Sequence, residues 1–105
     1  MDMAQVKTLP VAGKHSPAVG LEVSWTDSQF VMIIAEKGVV ACGVVDKNVM
    51  ERAGAAVAIA RGTPQKQLVT TDDLLSAKIQ DVTEKAAGYG VTIGMSGREA
   101  LDILS

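Results

Sequence analysis

The first half of the chain reads as a series of strands, because its apolar residues either alternate with polar ones or form short continuous runs. Residues 18–25 alternate, which is the period of a half-buried strand. Residues 6–12 form an earlier strand that contains Pro10, and since proline cannot donate to a ladder we expect this strand at a sheet edge. Residues 30–35 and 39–45 are apolar throughout and predict a hairpin with two faces that need cover.

The second half carries the start signals of helices. Asp46 predicts the N-cap of a short helix through Ala53, in which Val49, Met50 and Ala53 point inward. Residues 55–60 are small and apolar, and we interpret them as a fifth strand.

Three further helix starts follow a polar connector at residues 61–69. One lies at Thr70 or Thr71, with Asp72 and Asp73 in its first turn. The other two are capping boxes, Asp81 with Glu84 and Ser96 with Glu99. Within these helices we expect an inward side made by Leu75, Ile79, Val82, Ala86 and Tyr89.

Strands that come first and helices that come last are typical of an α+β fold. We predict a mostly antiparallel N-terminal sheet of about five strands, covered on one face by short C-terminal helices. Residues 1–105 form one domain, with a β-rich region at about 6–45 and a mixed, helix-rich region at 46–105. Because no segment is left to cover the second face of the hairpin, we expect another copy of the chain there. The β-rich region would then mediate oligomerisation.

Composition and charge narrow the range of possible partners and functions. The 105 residues carry a net charge of -2 and only 3% aromatic residues, which argues against nucleic acid as a partner. No apolar run approaches the roughly 20 residues that a membrane helix needs, so we expect no membrane partner. One cysteine excludes an internal disulfide, and no signal peptide is visible, which together predict a cytoplasmic protein.

Cys42 is the residue most suited to chemistry, but its surroundings favour a structural role. It stands among valines in the run 39–45, and burial of this kind keeps a thiol inert. Gly43 beside it can mark a close approach of backbone or ligand. His15, in a turn, is the one histidine available as a base if Cys42 acts as a nucleophile.

A second candidate site is the glycine-flanked helix start at 94–99. Such a segment can present backbone amides to a phosphate or carboxylate, although a simple helix cap explains the same residues. Arg61 lies in the polar connector, a kind of loop that often carries binding residues. The predicted partner is a small anionic ligand, and no spacing of His, Cys or carboxylates predicts a metal or a cofactor. The candidate ligand-binding residues are Gly94, Ser96, Gly97, Arg98 and Arg61.

Three stretches together resemble the YunC-like family of small bacterial and archaeal proteins, whose function is unknown. They are EKGVVACGVVD (36–46), TTDDLLSAKIQDVTEKAAGYGV (70–91) and GMSGREALDIL (94–104), and the likeness runs in order over most of residues 13–104. The resemblance implies an α+β fold whose N-terminal β-sheet region mediates tetramerisation. It implies no reaction.

The leading hypothesis is a cytoplasmic homo-oligomer, with a tetramer as the expected assembly, in a non-catalytic binding or structural role. One alternative is a small enzyme with Cys42 as nucleophile and His15 as base. The other is a module that senses an anion or a nucleotide at residues 94–98.

Overall fold

Residues 4–105 are described by a computed structural model, and their strands form a single six-stranded sheet. The α+β class is confirmed, with six strands where about five were expected. The strands are β1 (Gln5–Ala12), β2 (Pro17–Trp25), β3 (Ser28–Ile34), β4 (Val39–Ala41), β5 (Val57–Ala60) and β6 (Ile79–Val82). The helices are α1 (Lys47–Arg52), α2 (Thr71–Ser76), α3 (Glu84–Tyr89) and α4 (Gly97–Leu104). Across residues 4–105 no helix is long and apolar enough to cross a membrane.

Neighbours in the sheet follow chain order from β1 to β6, and every pair is antiparallel except β4 with β5. The strand that contains Pro10 lies at the sheet edge, as its sequence predicted. The parallel pair is joined by a crossover that contains α1. Because both strands run in the same direction, the chain segments that follow β4 and β5 leave the sheet side by side.

The main core lies between one face of the sheet and helices α2, α3 and α4. Alternate residues of the inner strands point to this face, including Val31 and Ile33 of β3 and Val40 of β4. The helices contribute the fully buried residues Leu74, Ala86, Ala100, Leu101 and Leu104. The predicted cover of one face by C-terminal helices is therefore confirmed.

Two glycines let these helices approach closely. A Cβ on Gly20 of β2 would lie 2.6 Å from Cγ2 of Thr71, at the first turn of α2. A Cβ on Gly97 would overlap the carbonyl oxygen of Leu74, where α4 meets α2. The carboxylate of Glu22 also accepts a 2.8 Å hydrogen bond from the Thr71 amide. The start of α2 is thus held on the sheet by contacts that a larger side chain would prevent.

The opposite face is covered only at β4 and β5. There Met50 of α1 packs against a smaller cluster that includes Val57 and Ile59. The expectation that no segment was left for the second face of the 30–45 hairpin is wrong at β4, and β5 lies outside that hairpin. Val49, expected to point inward with Met50, is instead exposed. Helix α1 spans only six residues, which is too short to reach β1, β2 and β3 as well.

Two predicted elements end or begin elsewhere. The strand expected over 39–45 stops at Ala41, and the chain turns away from the sheet after Cys42. The helix expected from Asp81 begins after Thr83, because residues 79–82 form β6 against β5. The Thr83 hydroxyl donates to the Ala55 carbonyl at 2.7 Å and accepts from the Val57 amide at 3.0 Å, so it ties this junction to the start of β5. Tyr89, expected to face inward, is exposed.

Helices α2 and α4 both begin with a capping box, and the cap of α2 is the fuller of the two. Thr70 accepts a 3.1 Å hydrogen bond from the Asp73 amide, and the Asp73 carboxylate accepts from the amides of Thr70 and Val69 at 3.1 Å each. These bonds from Thr70 and Val69 hold the pKa of Asp73 below its ordinary value. Ser96 and Glu99 form the capping box that was predicted for α4.

Close packing at Gly97 makes a first prediction. Gly97→Ala should lower the free energy of unfolding by about 1–3 kcal/mol, because the added methyl group meets the Leu74 carbonyl. Gly88→Ala, in helix α3 with open space around it, should instead raise stability by about 0.5–1 kcal/mol. Urea denaturation of both variants measures the difference, and equal stabilities would contradict the close contact.

The α2 cap makes a second prediction. Asp73→Ala should cost about 1 kcal/mol of stability at neutral pH. Since the folded pKa of Asp73 is lowered, its contribution is fully present above the unfolded pKa of about 3.9 and is lost as the pH falls through the folded pKa. The difference in the free energy of unfolding between Asp73→Ala and the parent protein should therefore disappear at acidic pH. Asp72→Ala, in the same helical turn, is the control, and a gap of constant size across the pH range would contradict the cap.

Candidate functional site

A concave region of the surface lies where the chain leaves β4 and β5. We name it the β4–β5 cleft, formed by residues 42–48 after β4 and residues 61–68 after β5. In open α/β sheets, ligands bind in the crevice outside the carboxyl ends of the parallel strands. The β4–β5 cleft lies outside the carboxyl ends of the parallel pair in this mostly antiparallel sheet.

Three cavities adjoin one another in the cleft. The first, of about 490 Å³, lies between the two segments and is lined by Ser28, Gln29, Cys42, Gly43, Val44, Gly62, Thr63, Pro64, Gln67 and Leu68. The second, of about 370 Å³, is lined by Gly43, Val44, Val45, Asp46, Lys47, Asn48, Arg61 and Asp81. The third, of about 180 Å³, is lined by Arg61, Gly62, Thr63, Lys66, Leu68, Asp73, Ala77 and Lys78.

Arg61 lines both the second and the third cavity, and it is the predicted binding residue that the cleft contains. Its side chain lies across Gly43, where an added Cβ would be 3.1 Å from Cγ of Arg61. Its guanidinium group lies 3.9 Å from the carboxylate of Asp81, and Lys47 approaches the same carboxylate at 3.7 Å. Asp81, which the sequence suggested as a helix cap, is thus shared between two cations at the rim of the cleft.

The loop at 61–68 has a defined shape. Thr63 and Lys66 exchange backbone hydrogen bonds of 3.0 and 3.1 Å, and the Thr63 hydroxyl accepts a further bond from the Lys66 amide. Gln67 accepts a 3.3 Å hydrogen bond from the side chain of Gln29 on β3. Leu68 is buried in the main core. The loop is therefore closed by its own hydrogen bonds and anchored to the sheet and the core at residues 67 and 68, with its polar side chains around the cavities.

Cys42 belongs to the main core and at the same time lines the first cavity. It is 7% exposed, and its sulfur accepts a 3.5 Å hydrogen bond from the Val31 amide. Val31, which bonds to Cys42, pairs with Glu22 in the middle of β2. The start of β2 at Pro17 is five residues away, which is about 16 Å at about 3.3 Å per residue. His15 lies beyond Pro17, where its amide donates to the Ser105 hydroxyl at 3.1 Å. Within one chain the structure does not bring His15 to Cys42.

Residues 94–98 do not line the three cavities, but they pair directly with Ala77 and Lys78 at the edge of the cleft and take part in the packing of α4. Four of their amides already have acceptors, the Met95 amide donating to Thr92 O at 3.4 Å, and the Arg98 guanidinium reaches the end of β1, so little is left to present to an anion. The bonds are Gly94 to Ile79 O at 2.8 Å, Ser96 to Glu99 Oε1 at 3.2 Å, Gly97 to Ala77 O at 2.8 Å and Arg98 Nη1 to Ala12 O at 2.7 Å.

Sequence reasoning missed several residues of the cleft. Lys78 reaches the third cavity because it directly precedes β6, a strand that the sequence had suggested was helix. Gln29 reaches the first cavity through the register of β3. Neither carries a local signal, because each comes to the cleft only through strand pairing. Within residues 4–105 no group of three or more His, Cys, Asp or Glu side chains could hold a metal ion.

Comparison with known proteins finds relatives of unknown function. The profile of a family described as "Domain of unknown function (DUF1805)" matches residues 41–104. The uncharacterized protein YunC of Bacillus subtilis (strain 168) is 31% identical over 104 residues, which cover 91% of this chain and 94% of that protein. The resemblance to the YunC-like family is confirmed.

A solved structure shares the fold. The crystal structure of a protein of unknown function, TA1206 from Thermoplasma acidophilum, aligns with a TM-score of 0.80 over 99% of this chain and 95% of that chain. The two sequences are 23% identical. This likeness supports the arrangement of strands and helices described above.

The burial of Cys42 makes a third prediction. Iodoacetamide should alkylate Cys42 in the native protein at least about tenfold more slowly than in protein unfolded by guanidinium, because the sulfur lies in the core. Mass spectrometry over time measures both rates. A native rate that equals or exceeds the unfolded rate would mean that the thiol is activated and would favour the enzyme hypothesis.

Proposed function

We propose that this chain, which belongs to the DUF1805 family, is a cytoplasmic homo-oligomer with a non-catalytic binding role. In this proposal the uncovered face of β1, β2 and β3 holds copies together, and the β4–β5 cleft receives a small ligand. The single cysteine, which cannot form an internal disulfide, supports the cytoplasmic location.

The observation that carries the proposal is an apolar surface that no helix covers. Val19 of β2 and Ile34 of β3 are cross-strand neighbours on this surface and remain 49% and 46% exposed. Val6 of β1 is 68% exposed. We name this surface the open face. Its exposed apolar residues are Val6, Val19, Trp25 and Ile34, and Leu21, Val23, Phe30 and Met32 of the same strands are half-buried. A continuous apolar surface of this kind is typical of a protein–protein interface.

An aromatic pair gives the open face an anchor. Trp25 and Phe30 stand edge to face with ring centroids 6.0 Å apart, and Trp25 is 45% exposed. Tryptophan contributes disproportionately to the free energy of protein association when a partner buries it. A second copy that covers the open face would bury this ring.

The size of the open face agrees with a subunit contact. Strands β1, β2 and β3 have 8, 9 and 7 residues. At about 3.3 Å per residue and about 4.8 Å between strands, the three strands have a projected area of about 380 Å². The side chains that protrude from this face add further surface area. A stable interface buries about 800 Å² on each partner, so the open face supplies a large part of one.

The outer edge of β1 offers a second, separate contact. This strand ends the sheet, so one side of its backbone faces outward along eight residues. A tetramer with dihedral symmetry needs two different interfaces on each subunit. The open face and the β1 edge together support the expected tetramer.

A second candidate function is a small enzyme that uses Cys42. Its support is the position of Cys42 on the wall of the first cavity, beside Gly43. Since His15 lies far from Cys42 within one chain, the base in such an enzyme would have to come from another copy of the chain or from another group. The alkylation rates described above distinguish this candidate from the binding role.

The open face makes a fourth prediction. Light scattering at micromolar concentration should give a multiple of the 10.9 kDa subunit mass, with four subunits expected. Val19→Glu combined with Ile34→Glu should shift the mass to that of the monomer while circular dichroism stays unchanged, because buried carboxylates without partners oppose association.

Ile93→Glu is the matched control. Ile93 is an exposed apolar residue outside the sheet, and its substitution should leave the assembly intact. A monomeric parent protein would refute the proposed assembly, as would a double variant that still forms the full oligomer.

A further inference from the structure

We propose that the third cavity of the β4–β5 cleft binds a small organic anion, a carboxylate or phosphate ester of a few carbon atoms. This inference rests on the proposed binding role and names the chemical class of its ligand. The three cations that would hold the anion are Arg61, Lys66 and Lys78.

These cations converge on one cavity in a chain that is acidic as a whole. The chain carries 10 Lys and Arg against 12 Asp and Glu, yet three cations and only one carboxylate, that of Asp73, line this cavity. Lys66 comes from the loop and Lys78 from the approach to β6, so separate parts of the chain place positive charge around the same space. Positive charge concentrated in a concave site attracts anions.

The one carboxylate is already engaged. Asp73 accepts the amide hydrogens of Thr70 and Val69 at 3.1 Å each, and these bonds, together with a smaller contribution from the charge of Lys66, hold the pKa of Asp73 low. In the part of the chain that the structure describes, no carboxylate lies within ion-pair distance of Lys66 or Lys78. An anion bound by Lys66 and Lys78 would therefore displace no existing salt bridge of these two lysines.

Arg61 is the third cation, and Lys47 allows it to turn toward a ligand. The carboxylate of Asp81 lies 3.7 Å from Lys47 and 3.9 Å from Arg61. Solvent-exposed ion pairs at such distances contribute little free energy. When Arg61 leaves Asp81 for a bound anion, Lys47 still neutralises Asp81, and the planar guanidinium group can then engage two oxygens of a carboxylate or phosphate.

The rest of the cavity sets the size and the apolar part of the ligand. Leu68 and Ala77 contribute apolar surface to its wall. Its volume is about 180 Å³. A short carbon chain with one or two anionic groups fits this space.

Titration of ¹⁵N-labelled full-length protein tests the inference. The probes are succinate and inorganic phosphate, with succinamide as the neutral molecule of the same shape as succinate. We expect saturable amide shifts at Gly62, Lys66, Leu68 and Lys78 with succinate or phosphate at about millimolar Kd, and none with succinamide. Absence of saturable shifts with both anions, or equal shifts with succinamide, would overturn the proposal.

Charge-neutral variants test whether the named cations act. Lys66→Gln and Lys78→Gln should each weaken the Kd for succinate about fivefold, and Arg61→Gln at least as much. Lys85→Gln, an exposed lysine of α3, should leave the Kd unchanged. If Lys85→Gln weakens binding as strongly as Lys66→Gln, binding depends only on the net charge of the protein and the proposal is wrong.

Light scattering on the same samples separates this inference from the proposed function. An intact oligomer that binds none of the anions overturns the assigned ligand class and leaves the assembly standing. A monomeric protein that still binds succinate through Lys66 and Lys78 overturns the assembly and supports the site.

Discussion

The parallel pairing of β4 with β5 is the constraint on which the rest of the structure depends. Strands that run in the same direction need a crossover, and here the crossover carries α1 over one face of the sheet. The later helices α2, α3 and α4 then cover the other face. The same pairing places residues 42–44 beside residues 61–63, and so one local arrangement produces both the smaller core cluster and the β4–β5 cleft.

The shortness of α1 divides the sheet into two regions with different chemistry. Where α1 covers β4 and β5, both faces are buried and the strands consist of small apolar residues. Where it ends, β1, β2 and β3 keep helices or polar residues on one face and expose apolar side chains on the other. The open face and the β4–β5 cleft thus lie toward opposite edges of one sheet.

Helix starts and edge strands were predictable because their signals are local. Asp46 and Ser96 cap helices through bonds to amides within three residues, and Pro10 excludes a central strand by its own covalent structure. β6 was not predictable, since Ile79 and Val82 fit the spacing of a helix as well as that of a strand. Pairing with β5, a contact between distant parts of the chain, decided between the two.

By itself the sequence determined the α+β class, the family, the capped helices, the edge position of β1 and the surplus of apolar strand surface. These follow from residue type and from spacing along the chain. Only the tertiary structure decided that Cys42 lies in the core far from His15, that Arg98 serves the packing of α4, and that Arg61 shares a cavity with Lys66 and Lys78. Such juxtapositions depend on strand order, register and crossover path, which are set by packing between segments that are far apart in sequence.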